Sequence, residues 1–102
     1  MFTIKYDEEV EEFIESLQEV SKSKLTRLIR LLVAFGPDLG MPHSRRLTNR
    51  LFELRIRGAQ EIRFFYFEKK RVIIVLHSFK KKTQEIPSRE LEKAKKLLIE
   101  HI

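Results

Sequence analysis

The spacing of apolar residues changes once along the body of this chain, from about four before Asn49 to two after it. A period near four buries one stripe of a helix, and a period of two buries one face of a strand. The switch therefore commits the chain to helices followed by sheet. Val10, Phe13, Ile14 and Leu17 form the first apolar stripe, and Leu25, Leu28, Ile29 and Leu32 repeat its spacing. The break between them is expected at Ser21-Lys22-Ser23, where hydroxyls can cap a new helix, and Gly36-Pro37 ends the second one. Asp7 stands where it can cap the first helix, and the acids that follow suit the positive end of the helix dipole.

A short alternating segment, Phe2 to Tyr6, precedes these helices and reads as a strand. Pro37 to Asn49 reads as a polar loop. Beyond it Phe52, Leu54 and Ile56 alternate with Glu53, Arg55 and Arg57, which predicts a strand with a basic outer face. Ile62 to Phe67 is an aromatic-rich strand interrupted by Arg63, with a hairpin tip at Glu68-Lys69-Lys70. Arg71 to Phe79 is a third strand, and its five-residue apolar centre predicts cover on both faces, as in a central position of a sheet. Pro87 sits in the first turn of a last helix with Leu91, Ala94 and Leu98 on its buried stripe. The expected fold is α+β, in the order β-α-α-β-β-β-α. A helical hairpin and a C-terminal helix pack on one side of a largely antiparallel sheet.

The 102 residues make one domain, 1–102, large enough to bury a core, and the 42% hydrophobic content supplies it. Cysteine is absent, which excludes disulfides, thiolate metal sites and thiol nucleophiles and fits a reducing cytoplasm, the expected location. The longest apolar runs, Leu31–Phe35 and Val72–Leu76, have five residues, so no membrane span is expected. The acidic start, Met1 to Val10, does not resemble a secretory signal. Net charge is +6, but it is unevenly spread. Residues 1–20 hold seven acids and one lysine, whereas residues 21–102 hold 20 basic and 8 acidic residues. Such a basic region in so small a domain points to nucleic acid.

Several chemistries find no support. Three scattered glycines cannot cradle a phosphate, and His43, His77 and His101 share no metal-ligand spacing. No metal or cofactor is therefore expected. The glutamates of the first helix read as a solvated face. What stands out is a cationic constellation on neighbouring strands. Arg55 and Arg57 share a face because they are two apart, Arg63 interrupts the next strand, and His77-Ser78-Phe79-Lys80-Lys81-Lys82 ends the third. Paired as a meander, these strands gather cations on one face and its rim.

Such a surface suits RNA, with Phe79 or Tyr66 offering a ring on which a base stacks. It also suits metal-free cleavage of RNA, since the ribose 2′-hydroxyl is an internal nucleophile beside the scissile phosphate. Arginines stabilise phosphoryl charge. A lysine crowded by cations has a lowered pKa and can accept a proton, and His77 can exchange one near neutral pH.

Leu51-Phe52-Glu53-Leu54-Arg55-Ile56-Arg57, Ile62-Arg63-Phe64-Phe65-Tyr66-Phe67 and Leu76-His77-Ser78-Phe79-Lys80-Lys81-Lys82-Thr83-Gln84, with Pro87 beyond, resemble the RelE/HigB-like toxin superfamily. The likeness covers essentially the whole chain and is greatest to the phage-derived HigB-type branch. It implies the toxin of a type II toxin–antitoxin module, a metal-independent endoribonuclease that enters the ribosome and cuts messenger RNA. By that resemblance Arg63 is the central catalytic arginine, Arg55 and Arg57 are the basic strand residues, and Lys80, Lys81 and Lys82 the basic residues after the last strand. Joined to the reading of the residues, the catalytic set is Arg63 with Lys81, Lys82 and His77. Arg45, Arg46, Arg55, Arg57, Phe79 and Lys80 contact RNA or ribosome. The tyrosine that RelE carries at the start of its last helix is missing, as it is in the HigB-type branch, and the base stays open between a lysine and His77. The implied partners are the ribosome, messenger RNA and a cognate antitoxin of helix-turn-helix, HigA-like type. Two rival readings are a ParE-like inhibitor of DNA gyrase, which cleaves nothing, and a basic nucleic-acid-binding phage protein.

Overall fold

The structure, a computed structural model, describes residues 1–102. The amino-terminal alternation forms β1 (Thr3–Tyr6), and the two period-four stretches form α1 (Glu8–Glu15) and α2 (Glu19–Phe35). A short β2 (Ser44–Arg46) leads into β3 (Phe52–Ile56), β4 (Ile62–Lys69) and β5 (Val72–Lys80), and α3 (Ser88–His101) closes the chain. The five strands form one sheet in the order β1-β5-β4-β3-β2. All neighbours are antiparallel except β1 and β5, which run parallel. The α+β class and the succession of major elements are those expected, with β5 inside the sheet.

Three details differ from the sequence reading. First, the helices part at Ser16–Gln18 and not at Ser21–Ser23. Ser16 Oγ donates to the Phe13 carbonyl at 2.6 Å and closes α1, Leu17 turns into the core, and Ser21 lies buried within α2. Asp7 precedes α1 but its side chain caps nothing, because its Oδ1 lies 3.3 Å from Nε2 of His101 at the far end of α3.

Second, the loop expected over Pro37–Asn49 contains β2, which pairs with β3 through Ser44 opposite Leu54 and Arg46 opposite Phe52. Three residues carry too little alternation to announce a strand. Ser44 is drawn inward by a short hydrogen bond between its hydroxyl and that of buried Tyr66. Burial raises the Tyr66 hydroxyl pKa more than this bond lowers it, so the phenol stays protonated.

Third, the helices occupy both sides of the sheet. α1 and α2 set Val10, Leu25, Leu28 and Leu32 against Phe52, Leu54, Phe64, Tyr66 and Val75. α3 sets Ala94 and Leu98 against Leu51, Phe65, Phe67 and Leu76 on the opposite face. β4 is apolar on both faces for six residues apart from Arg63, so each face needs a cover. The register slips between Phe65 and Tyr66, where His77 and Val75 are the opposed residues, and this bulge adds Leu76 to the α3 side.

α2 ends at Gly36, with φ +57° and ψ −142°, a backbone region open to glycine alone among the common residues. A Cβ there would enter the ring of Phe2, whose amide donates to the Val33 carbonyl at 2.9 Å. Gly36→Ala should therefore lower stability by about 1–3 kcal/mol from backbone strain alone. Urea denaturation checks this, and an unchanged midpoint would contradict it.

Candidate nucleic-acid cleavage site

Strand register builds the site. Pairing of β3 with β4 sets Arg55 directly opposite Arg63, and pairing of β4 with β5 sets Arg63 opposite Phe79. Two like charges opposed across a ladder repel each other, so this rung needs counter-charge. It comes from two glutamates. Glu53 lies two residues before Arg55 on the same face of β3, with only 1% of its surface exposed. Its Oε1 is 3.0 Å from Arg45 Nη2 and 3.6 Å from Arg55 Nε, and its Oε2 is 3.8 Å from Arg63 Nε. Neither oxygen has a partner in hydrogen-bond geometry, so the attraction among these four groups is mainly Coulombic.

Glu61 supplies the second counter-charge at the start of β4. Its Oε1 accepts from Arg63 Nη2 at 3.0 Å and lies 3.8 Å from Arg57 Nε, while its Oε2 accepts from the Gly58 amide at 3.1 Å. Burial would push the Glu61 carboxyl up, but the Gly58 amide and the guanidinium groups of Arg63 and Arg57 outweigh it and hold the pKa below the usual range. Arg63 Nη1 also donates to the carbonyls of Ile56 at 3.2 Å and Ile62 at 3.0 Å. Its guanidinium is thus fixed before any ligand arrives, the condition under which a charge stabilises a reacting group most effectively.

One cavity of about 450 Å3 opens over this rung. Arg55, Arg57, Glu61, Arg63, Lys81 and Lys82 line it with Thr83 and Gln84, and no apolar side chain takes part. The Lys81 amide donates to the Glu61 carbonyl at 2.7 Å, and its Nζ donates to the Gln84 carbonyl at 2.6 Å. Burial lowers the Lys81 pKa first, and the neighbouring charges of Arg63 and Arg55 lower it further against the pull of Glu53 and Glu61. Arg55 is lowered by burial and then by Arg63, yet a guanidinium stays protonated at any physiological pH.

Of the residues singled out from sequence, Arg55, Arg57, Arg63, Lys81 and Lys82 meet in this cavity, and Arg45 joins their rim through Glu53. Five others stand apart. Arg46 donates to the Asn49 carbonyl at 3.1 Å and covers the Phe52 ring at 5.1 Å, on the α1–α2 side of the sheet. His77 is buried, with Nε2 2.7 Å from Glu90 Oε1 of α3. Phe79 keeps 6% exposure and packs edge-on against Phe65, and Tyr66 is wholly buried, so neither offers a free ring. Lys80 opposes Ile62 and opens onto a separate groove near Pro87. α3 and the loop before it cover the His77–Phe79 part of a face that strand parity alone leaves open, whereas Arg46 and Tyr66 belong to the α1–α2 side. Glu53 and Glu61 are the groups that the cationic pattern concealed. The available signal was an acid placed two residues from Arg55, which strand parity puts on the same face. Among the side chains no group of three His, Asp or Glu residues is gathered closely enough to hold a metal ion.

Over residues 12–98 the sequence matches the family described as phage-derived protein Gp49-like, and the chain belongs to that family. No curated protein matches the sequence. A chain in the crystal structure of the archaeal RelE–RelB complex from Pyrococcus horikoshii OT3 superposes with a TM-score of 0.54 at 19% identity, covering 82% of this chain and 98% of that one. At this identity the likeness is one of fold. The fold is the RelE-like one that the resemblance implied. No helix is long and apolar enough to cross a membrane.

Glu53 is the test of how this site holds together. Glu53→Gln leaves three guanidinium groups around a neutral amide, and removing one partner of a buried ion pair costs about 3–5 kcal/mol. Urea denaturation should show a loss of that size. A variant within 1 kcal/mol of the parent, on the scale of an exposed pair, would mean that Glu53 does not organise the rung.

Proposed function

We propose that this chain is the toxin of a toxin–antitoxin module and that it cleaves messenger RNA on the ribosome. The observation that carries the reading is the cavity over the Arg55–Arg63 rung, where five cations converge on a space with no apolar lining. A phosphodiester brings the negative charge such a space lacks, and the ribose brings the nucleophile. Lys81 accepts the proton of the 2′-hydroxyl, whose oxygen attacks the adjacent phosphorus. The bond from phosphorus to the 5′-oxygen then breaks, and Lys82 returns a proton to that leaving oxygen. The products are a 2′,3′-cyclic phosphate and a 5′-hydroxyl. Charge on the phosphoryl oxygens grows during attack and is met by Arg63 and Arg55, while Arg57 and Arg45 hold the strand at the rim.

Lys81 is the better acceptor because it lines the cavity and its pKa is lowered, whereas His77 is tied to Glu90 beneath α3. Glu61 is held ionised and so serves as counter-charge and not as an acid. The family and the likeness to a chain of a RelE–RelB complex support an antitoxin partner. We take it to be a helix-turn-helix protein that covers the basic cavity. The reading needs no cofactor.

Arg63 is a poor first substitution, since losing it also strands two backbone carbonyls and Glu61. Lys81 is partly exposed and serves better. Lys81→Ala should slow cleavage by about a hundredfold or more, the usual contribution of a general base, with the melting temperature held. Primer extension on translating ribosomes reads this as loss of codon-positioned cuts. Intact messenger with stalled replication in cells producing the parent would instead favour gyrase inhibition.

The same assignment fixes a pH dependence. Lys81 must be unprotonated to act, so the single-turnover rate should rise with pH, level off at a pKa below that of an ordinary lysine, and fall again once the general acid is lost. Arg55→Ala removes one of the charges that lower this pKa, so the levelling point should move to higher pH. A profile unmoved by Arg55→Ala would remove Lys81 from the role.

A further inference from the structure

A second crevice, of about 280 Å3, lies between α2 and the end of β3. Lys24, Arg27, His43, Arg55 and Arg57 line it, and no carboxylate does. This differs from the cleavage cavity, where Glu61 offsets part of the charge. The crevice is also built and not merely crowded. Lys24 Nζ donates to the Arg57 carbonyl at 2.7 Å, which holds the ammonium at the mouth. Gly58 follows at φ +144°, and a Cβ there would collide with that same ammonium. The backbone at Gly58 is one that side chains rarely adopt, so glycine is required there whatever Lys24 does. Arg55 and Arg57 have Glu53 and Glu61 beside them, whereas Lys24 and Arg27 have no carboxylate within 4 Å, so an external anion meets two unpaired cations here.

Arg55 and Arg57 line both spaces, so the cleavage cavity and the crevice form one cationic track around the end of β3. A nucleic-acid strand presents a phosphate at every nucleotide and fits a track with repeated anion sites. We propose that the α2–β3 crevice binds a second RNA phosphate, through Lys24 and Arg27, while the first lies in the cleavage cavity. The inference rests on the nuclease reading above. The phosphate belongs either to the cleaved strand or to the ribosomal RNA beside it.

The test uses a Lys24→Ala/Arg27→Ala variant of the full chain, with Arg27→Glu as a second variant because Arg27 lies exposed on α2. Melting temperatures confirm folding. The probes are a 2′-O-methyl RNA hexanucleotide, which cannot be cleaved, and vacant ribosomes, each titrated at several salt concentrations. Losing one phosphate contact should weaken hexanucleotide binding about tenfold and reduce the salt slope by about 0.7. Arg27→Glu should weaken it further. A loss on the hexanucleotide assigns the phosphate to the cleaved strand, and a loss confined to ribosomes assigns it to ribosomal RNA. Both support the crevice. Unchanged affinity for both probes, with codon-positioned cutting by the parent still abolished by Lys81→Ala, overturns the crevice and leaves the nuclease reading standing. If the parent cuts no messenger, the nuclease reading fails and the crevice proposal falls with it.

Discussion

A carboxylate with 1% of its surface exposed lies within 4 Å of three guanidinium groups on one face of the sheet. Paired strands do not readily accept arginine opposite arginine, yet β3 and β4 do so at Arg55 and Arg63. Glu53 makes this register tolerable from below and Glu61 from the side. Burial strengthens both the attraction among these groups and the penalty for separating them. The cations are therefore held in place without being neutralised. Six basic side chains around the cavity and its rim answer to two acids, so a site for a further anion remains.

The sheet divides its work by parity. Alternate residues of β3 and β4 give Phe52, Leu54, Phe64 and Tyr66 to the core under α1 and α2, and Glu53, Arg55 and Arg63 to the other face. On that other face α3 covers Phe65, Phe67 and Leu76, and the remainder stays polar. The 2.7 Å contact between His77 and Glu90 joins β5 to α3 at the boundary. A partly covered face is what makes a cavity here. A fully covered one would be core, and an open one would leave Lys81 solvated, with its pKa no longer lowered by burial.

Much of this was legible in the sequence because periodicity and parity are local. The change of period at Asn49 gave helices and meander, and the spacing of Arg55, Arg57 and Arg63 gave the gathering of cations. What escaped depends on contacts distant in sequence. The apolar runs of β4 and β5 call for cover on both faces, but which helix supplies each cover is decided by contacts distant in sequence. His77 and Phe79 have the parity expected of site residues, but they are enclosed by α3 and the loop before it. The three residues of β2 are too few to show a period, and the helix break at Ser16–Gln18 carries no glycine or proline to mark it. Glu53 was hidden for a different reason. A lone acid in an alternating basic strand reads as a solvated partner, and only the register that brings Arg45 and Arg63 to it explains its burial.

The central claim is that a cation-lined cavity uses the ribose hydroxyl of the RNA as its nucleophile. It is tested most directly by a messenger carrying one 2′-O-methyl nucleotide at a site that the protein cuts on translating ribosomes. The account predicts that cutting vanishes at that nucleotide and continues at unmodified sites, leaving 2′,3′-cyclic phosphate and 5′-hydroxyl ends. Cutting that persists at the methylated nucleotide, or ends that carry a 5′-phosphate, would contradict it.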